Sequence, residues 1–231
     1  LEAIDVKRYK IASGEIGNRL LLEKIIDTGK DIILSTGLTD LEELKSVVEF
    51  ITSKNKNKLS LLQCTTKYPT KPADVGLNIM QDYIALFPNL DIGLSDHSGE
   101  IYPSLAAISL GATIIECHVT FSKEMFGPDS TSSLTIEQFK ELVKGVRFIT
   151  EILNNPVDKD KLLDKNLKQM FGKSLCINKD LAKGDIVTID SLETKKPAGY
   201  GVDANNYRQV LNKKVICDMT KYEFLKEEHL Q

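Results

Sequence analysis

The sequence predicts an α/β protein built on a parallel sheet and followed by a small β-rich unit. Three observations carry that prediction. Between residues 8 and 149, short apolar runs alternate with amphipathic helical segments, each pair turning over in about 20–30 residues. The connections are short, which calls for right-handed crossovers between parallel strands. Beyond residue 172 the helical period disappears, and Gly184, Gly199 and Gly201 punctuate short apolar runs.

The elements follow in order. Leu1 to Val6 reads as the end of a helix, and the chain opens on leucine rather than methionine, so a preceding segment is expected. Arg8 to Ala12 is a strand. Asn18 to Thr28 is a helix with Leu21, Leu22, Ile25 and Ile26 on one face and Gly29 as its stop. Asp31 to Leu34 is the second strand. Thr39 and Glu42 have capping-box spacing before a helix whose apolar face is Leu41, Leu44, Val47, Val48 and Ile51. Lys58 to Cys64 is a strand and Ala73 to Leu86 a helix, closed by Pro88. Leu90 to Leu94 is a strand, then Pro103 to Leu110 a helix with Gly111 at its end. Thr113 to Cys117 is the fifth strand. Thr135 and Gln138 repeat the capping pattern before an amphipathic helix reaching Ile149.

Two architectures fit five such units: an open doubly wound sheet, or a stretch of a (β/α)8 barrel, for which five units are too few to close. Residues 1–155 form this layer, 156–172 a polar linker, and 173–231 a small domain with strands at Ser174 to Ile177, Ile186 to Ile189, Leu192 to Lys195 and Val215 to Asp218. About 60 residues is a marginal size for independent folding, so the small domain calls for a surface to pack on.

Composition narrows the function. Hydrophobic residues make up 42% and charged residues 27%, which is globular rather than disordered. A net charge of −3 with scattered Lys and Arg argues against nucleic acid and against an anionic membrane surface as partners. No apolar run reaches the roughly 18 residues of a membrane span. Leu1 to Lys10 carries charges and no apolar stretch, so no signal peptide is expected there. The four cysteines, Cys64, Cys117, Cys176 and Cys217, are far apart in sequence, and we expect buried free thiols of a cytoplasmic protein rather than a zinc cluster.

In parallel α/β layers, chemistry collects at the C-terminal ends of strands. Here those ends are Ser13-Gly14-Glu15, Ser35-Thr36-Gly37, Thr65-Thr66-Lys67-Tyr68, Ser95-Asp96-His97-Ser98-Gly99, and His118 with Thr120. His97 and His118, two of only three histidines, close consecutive strands and so are neighbours in space. Two imidazoles can occupy two sites of a divalent metal and leave others open, or they can be hydrogen-bonded structural histidines; Asp96 and Glu116 flank them. The hydroxyls of Ser13, Ser35, Thr36, Thr65, Thr66 and Ser95, with the amides of Gly14 and Gly37, suit an anion such as phosphate. Lys10, which shares a strand face with Arg8 and Ala12, either supplies the positive charge or is a solvated strand flank. Glu15 is either an acid–base group or a carboxylate at a helix start. Asp129, in the loop after the fifth strand, is either a sugar contact or a turn residue, and Tyr68 either lines the pocket or packs.

Taken in order, five segments resemble a known family. They are Lys10-Ile11-Ala12-Ser13-Gly14-Glu15, Leu34-Ser35-Thr36-Gly37, Cys64-Thr65-Thr66-Lys67-Tyr68-Pro69, Ser95-Asp96-His97, and Gly111-Ala112-Thr113-Ile114-Ile115-Glu116-Cys117-His118. They look like sialic acid synthases, including the synthases of N-acetylneuraminic, legionaminic and pseudaminic acids. The resemblance implies five βα units of a TIM (β/α)8 barrel followed by a small antifreeze-like (SAF) domain. It implies condensation of phosphoenolpyruvate with the open-chain aldehyde of an N-acetylated amino sugar. It implies a divalent metal, manganese first with magnesium or cobalt as alternatives, held by His97 and His118, which with Glu15 form the catalytic set. Lys10, Ser13, Ser35, Thr66 and Ser95 should hold phosphoenolpyruvate, and Glu15 should orient the reacting groups. Tyr68 and Asp129 should touch the sugar. Lys196 stands nearest to an arginine that reaches the sugar's N-acetyl group in the family, and Cys117 stands where the family commonly has lysine. The family's domain-swapped homodimer is expected too. Its three preceding strand ends carry further substrate ligands, so the 231-residue chain by itself is expected to be inactive. Another barrel lyase or aldolase using phosphoenolpyruvate or pyruvate, and a non-catalytic sugar-binding protein, are the alternative functions.

Overall fold

A computed structural model describes residues 1–54 and 57–231. The chain divides into two compact units, Leu1–Pro156 and Val157–Gln231.

The first unit is an open six-stranded sheet, a half-barrel, with strands β1 (Arg8–Ile11), β2 (Asp31–Ser35), β3 (Leu59–Cys64), β4 (Asp91–Asp96), β5 (Ile114–Thr120) and β6 (Ser133–Thr135) in sequence order. Every adjacent pair is parallel. The sequence pattern predicts five strands, and the sixth is the correction. Three residues are too short to show a period, and β6 is recruited by pairing His118 to Thr120 with Ser133 to Thr135.

Five helices follow: α1 (Arg19–Asp27), α2 (Leu41–Lys54), α3 (Leu77–Leu86), α4 (Tyr102–Ser109) and α5 (Ile136–Asn154). Asn18 caps α1 by accepting from the Leu21 amide, and Gly29 leaves it at φ 66°. The cap of α2 is Asp40, not Thr39: Asp40 Oδ1 accepts from the Glu43 amide at 2.8 Å, while the Thr39 hydroxyl donates to the Glu43 carboxylate. The predicted helix from Ala73 splits into a 3-10 turn at Pro72–Asp74 and α3, because Gly76 takes a left-handed conformation between them. At α5 the Thr135–Gln138 capping box is complete. The start of the chain forms a 3-10 turn, Glu2–Ile4.

Period-two alternation gives the sheet two unlike faces. One face, with Tyr9, Ile11, Ile32, Leu34, Leu59, Leu61, Ile92 and Leu94, is buried in one cluster with Leu22, Leu44, Val47, Ile51, Met80 and Ala107 of the helices. Each such fully buried aliphatic side chain contributes roughly 1.5–3 kcal/mol, so this layer holds the unit together. The other face carries Lys10, Ile33, Leu62, Ile114 and Glu116. Gly93 lies in β4 where a Cβ would come 2.1 Å from the Ile114 carbonyl oxygen, so only glycine lets β4 and β5 approach as they do.

The second unit begins with two short helices, α6 (Lys159–Leu162) and α7 (Lys165–Phe171), in the stretch expected to be a linker. An antiparallel pair follows, β7 (Ser174–Ile177) with β8 (Leu192–Lys195). The predicted strands at Ile186 to Ile189 and Val215 to Asp218 do not form ladders. Each contributes a single bridge, Ile186 to Lys214 and Val215 to Leu230. Their backbone pairs in scattered single bonds instead of ladders: Val187 N donates to the Lys213 carbonyl, Val215 N to the Asp185 carbonyl, Gly184 N to the Val215 carbonyl and Ile216 N to the His229 carbonyl, while Thr188 and Ser191 bond reciprocally. The core of this unit is Leu175, Ile177, Leu181, Val187, Val202, Val210, Val215, Met219 and Leu225. No helix among the described residues is long and apolar enough to cross a membrane.

Candidate active site

A cavity of about 230 Å3 opens at the C-terminal edge of β1 to β5. Its wall includes Lys10, Ser13, Ser35, Thr66, Tyr68, Ser95, His97 and His118, all expected from the sequence. The inward alternation of each strand delivers them: Lys10 on β1, Ser35 at the end of β2, Cys64 on β3, Ser95 on β4, and Glu116 with His118 on β5.

The register then fixes the neighbours. Cys64 pairs with Ser95, and Ser95 with Glu116, so these three stand side by side across β3, β4 and β5. Ser95 Oγ donates to Glu116 Oε2 at 2.6 Å, and Lys10 Nζ meets the same oxygen at 3.2 Å. Lys10, aimed into a half-barrel, thus has its anion.

At the other side of the cavity, Ser13 opens a 3-10 turn, Ser13–Glu15, and its Oγ accepts from the Gly37 amide at 2.9 Å. A Cβ on Gly37 would sit 2.5 Å from Thr66 Oγ1 and 3.0 Å from Cys64 Sγ and Ser13 Oγ. Ser13, Gly37, Cys64 and Thr66 therefore close into a tight cradle. Among the described residues Ser35 Oγ, buried in this wall, has no hydrogen-bond partner. A buried hydroxyl in that state is unusual and marks a place for a ligand atom.

The His97 and His118 rings meet edge to face, at 4.9 Å between centroids. Around His97 Nε2 stand Tyr68 Oη at 3.3 Å, Ser95 Oγ at 3.4 Å and Cys64 Sγ at 3.5 Å, and Nδ1 is buried without a partner. Burial, helped by the charge of His118, pushes the His97 pKa down to about 4, so its imidazole is neutral at neutral pH. A neutral imidazole with an unclaimed nitrogen is what a cation ligand requires. His118 Nδ1 lies 3.6 Å from Asp129 Oδ2. Among the described residues no group of three or more His, Cys, Asp or Glu is placed to hold a metal ion. Two imidazoles with open positions fit a cation that also holds substrate.

Other predicted residues stand elsewhere. Glu15 is exposed, with its carboxylate accepting from Asn18 Nδ2 at 2.7 Å, and is not in the cavity wall. Lys196 belongs to the second unit, its ammonium over the Phe171 ring at 4.8 Å. Asp96 turns away from the cavity. It accepts from the amide and hydroxyl of Ser98 and from Ser104, and burial raises its pKa. Sequence reasoning gave Glu116 only a flanking place and read Cys64 as a plain buried thiol. The missed signal was the period: Glu116 is two residues before His118 on one strand, hence on the same face.

The chain matches the NeuB family over residues 1–158. It is 36% identical over 229 residues to the N,N'-diacetyllegionaminic acid synthase of Campylobacter jejuni, covering 98% of this chain and 68% of that protein. It is 31% identical over 228 residues to the N-acetylneuraminate-9-phosphate synthase of Homo sapiens, covering 99% and 63%. Among solved structures, the N-acetylneuraminic acid synthetase of Leptospira borgpetersenii in complex with citrate superposes with a TM-score of 0.64 at 33% identity, over 73% of this chain and 57% of that one. The chain thus spans 63–68% of the length of these two curated relatives.

Proposed function

The chain belongs to the NeuB family, and from that premise we propose that it forms part of an enzyme that condenses phosphoenolpyruvate with the aldehyde of an N-acetylated amino sugar. The product is a sialic-acid-type nonulosonic acid, and phosphate is released. The observation that carries the reading is the convergence of Lys10, Ser13, Ser35, Thr66, Ser95, His97 and His118 on one cavity.

In this reading Lys10 and the hydroxyls of Ser13, Ser35, Thr66 and Ser95 bind the phosphate and carboxylate of phosphoenolpyruvate. The unpartnered Ser35 hydroxyl gains an acceptor when they do. Tyr68 and Asp129 hold the sugar beside His118, and Glu15 reaches its hydroxyls from the rim. His97 and His118 would hold a divalent cation, manganese with magnesium or cobalt as substitutes. A cation there supplies a Lewis acid for the aldehyde oxygen. Carbon 3 of phosphoenolpyruvate forms the new bond to the aldehyde carbon. Water then adds at carbon 2, and phosphate departs with its bridging oxygen.

The same reading makes residues 1–155 barrel, 156–172 linker and 173–231 an antifreeze-like domain. It pairs two copies so that each small domain covers the partner's barrel, with Lys196 near the N-acetyl group. The modest nine-residue core of the second unit supports a domain that leans on another surface.

The test is phosphate release by the intact protein from phosphoenolpyruvate, with manganese and a panel of N-acetylated hexoses including N-acetylmannosamine and diacetamido dideoxy sugars. Release with one sugar, abolished by chelation and by His97→Ala, is the expected result. A folded, cation-binding protein that releases no phosphate with any of them would overturn the reading.

A further inference from the structure

We infer that Lys123 is a positioning residue: it ties the loop after β5 to the loop after β4 and thereby holds Asp129 against His118. The inference deepens the proposed function and rests on it for the role of Asp129. Lys123 Nζ donates to the Gly99 carbonyl at 2.6 Å and pairs with Glu100 at 3.5 Å. Gly99 also touches the far end of the same loop. A Cβ there would lie 2.6 Å from the Thr131 carbonyl oxygen and 3.2 Å from the Ser132 carbonyl carbon. Gly99 sits at φ 72°, which glycine alone adopts without strain.

One glycine is therefore held at its carbonyl by residue 123 and packed at its Cα against residues 131–132. Asp129 lies between those two anchors. Its carbonyl accepts from the Ser132 amide at 3.1 Å and from Ser133 Oγ at 2.7 Å, which holds its backbone in place, and its carboxylate lies 3.6 Å from His118 Nδ1. Besides the Lys123 bridge, the bonds of the segment Phe121 to Gly127 among the described residues are local: Met125 N to Ser122 O, Glu124 N to Ser122 Oγ, Thr120 Oγ1 to Ser122 O and Ser130 N to Gly127 O. The exposed Phe121 and Phe126 add no packing to hold it. Lys123 touches no reacting group in this arrangement and acts only through Asp129.

The experiment compares Lys123→Met, Lys123→Arg and Glu100→Gln in the intact protein. It reads amide exchange over residues 122–130, the His118 ring resonances, and KM for each substrate. Lys123→Met should speed exchange in that segment, shift the His118 resonances and raise the sugar KM about tenfold with KM for phosphoenolpyruvate unchanged. Lys123→Arg should restore all three. Glu100→Gln should show the same changes at smaller size, and decides the matter if Lys123→Met does not fold. Native exchange and native His118 resonances in the folded variants would overturn the inference. So would faster exchange with an unchanged sugar KM. If the wild-type protein turns over no sugar, exchange and the His118 resonances alone decide, and the proposed function falls separately.

Discussion

Ser95 and Glu116 are register partners across β4 and β5, and the serine hydroxyl donates to the carboxylate at 2.6 Å. Lys10 meets the same carboxylate oxygen from β1. Glu116 is thus the link that fixes two of the side chains assigned to phosphoenolpyruvate. The ion pair is about one-third exposed on each side, so its direct contribution to folding is small.

Glu116→Gln should therefore separate function from stability. The melting temperature should stay within about 3 °C of wild type, because little folding energy rests on a screened pair. At the same time kcat/KM for phosphoenolpyruvate should fall by about tenfold, since Lys10 loses its charged partner and Ser95 donates to a neutral acceptor instead of a carboxylate. Thermal melts and phosphate release measure the two quantities, and wild-type kcat/KM in the variant would remove Glu116 from the site.

Gly37→Ala should damage the cradle from the opposite side. The added methyl meets Thr66 Oγ1, Cys64 Sγ and Ser13 Oγ at 3.0 Å or less, so these side chains must move apart. Overpacking of this kind costs about 1–3 kcal/mol. A drop in stability of that size together with a raised KM for phosphoenolpyruvate is expected in denaturant titration and initial-rate assays. Unchanged binding would mean that the cradle does not hold this substrate.

Much of the half-barrel was legible because burial wrote it twice, once as apolar strands and once as helix faces of the proper period. Leu44, Val47 and Ile51 under α2 show this, as do Ile32 and Leu34 in β2. What escaped was decided by single local bonds or by pairing. Asp40 displaced Thr39 as a cap through one amide. The three residues of β6 became a strand only because β5 offered an edge. In the second unit, the apolar runs at Ile186 and Val215 meet through single backbone bonds and one-residue bridges rather than the continuous ladders their pattern suggested. At the site, the strand ends named most of the cavity wall; Glu116 was legible from its two-residue spacing to His118, while the place of Cys64 beside Ser95 depended on register, which one strand's sequence does not specify.

A Schiff-base aldolase would need Lys10 as a free amine. Lys10 Nζ is instead engaged by Glu116 Oε2 at 3.2 Å, a contact that a carbonyl carbon would have to displace. Borohydride reduction in the presence of pyruvate should add no mass to the protein or to the peptide carrying Lys10. A stable adduct on Lys10, seen by mass spectrometry, would favour the aldolase chemistry over condensation without a covalent intermediate.

Ser35 allows the sharpest test, because the free protein gains nothing from its hydroxyl. Ser35 Oγ is buried and has no partner among the described residues, a state that costs about 1–3 kcal/mol relative to a satisfied group. Ser35→Ala removes that cost and leaves only a void smaller than a methyl group. The variant should melt at the wild-type temperature or up to a few degrees above it. Phosphoenolpyruvate, if it supplies the missing acceptor, should bind about tenfold more weakly, corresponding to one lost hydrogen bond to a charged ligand. Calorimetric titration beside a thermal melt reads both. A variant that is destabilised and binds normally would show that Ser35 serves the fold rather than the ligand. The predicted opposite signs cannot arise from general damage to the protein, since damage lowers stability and binding together.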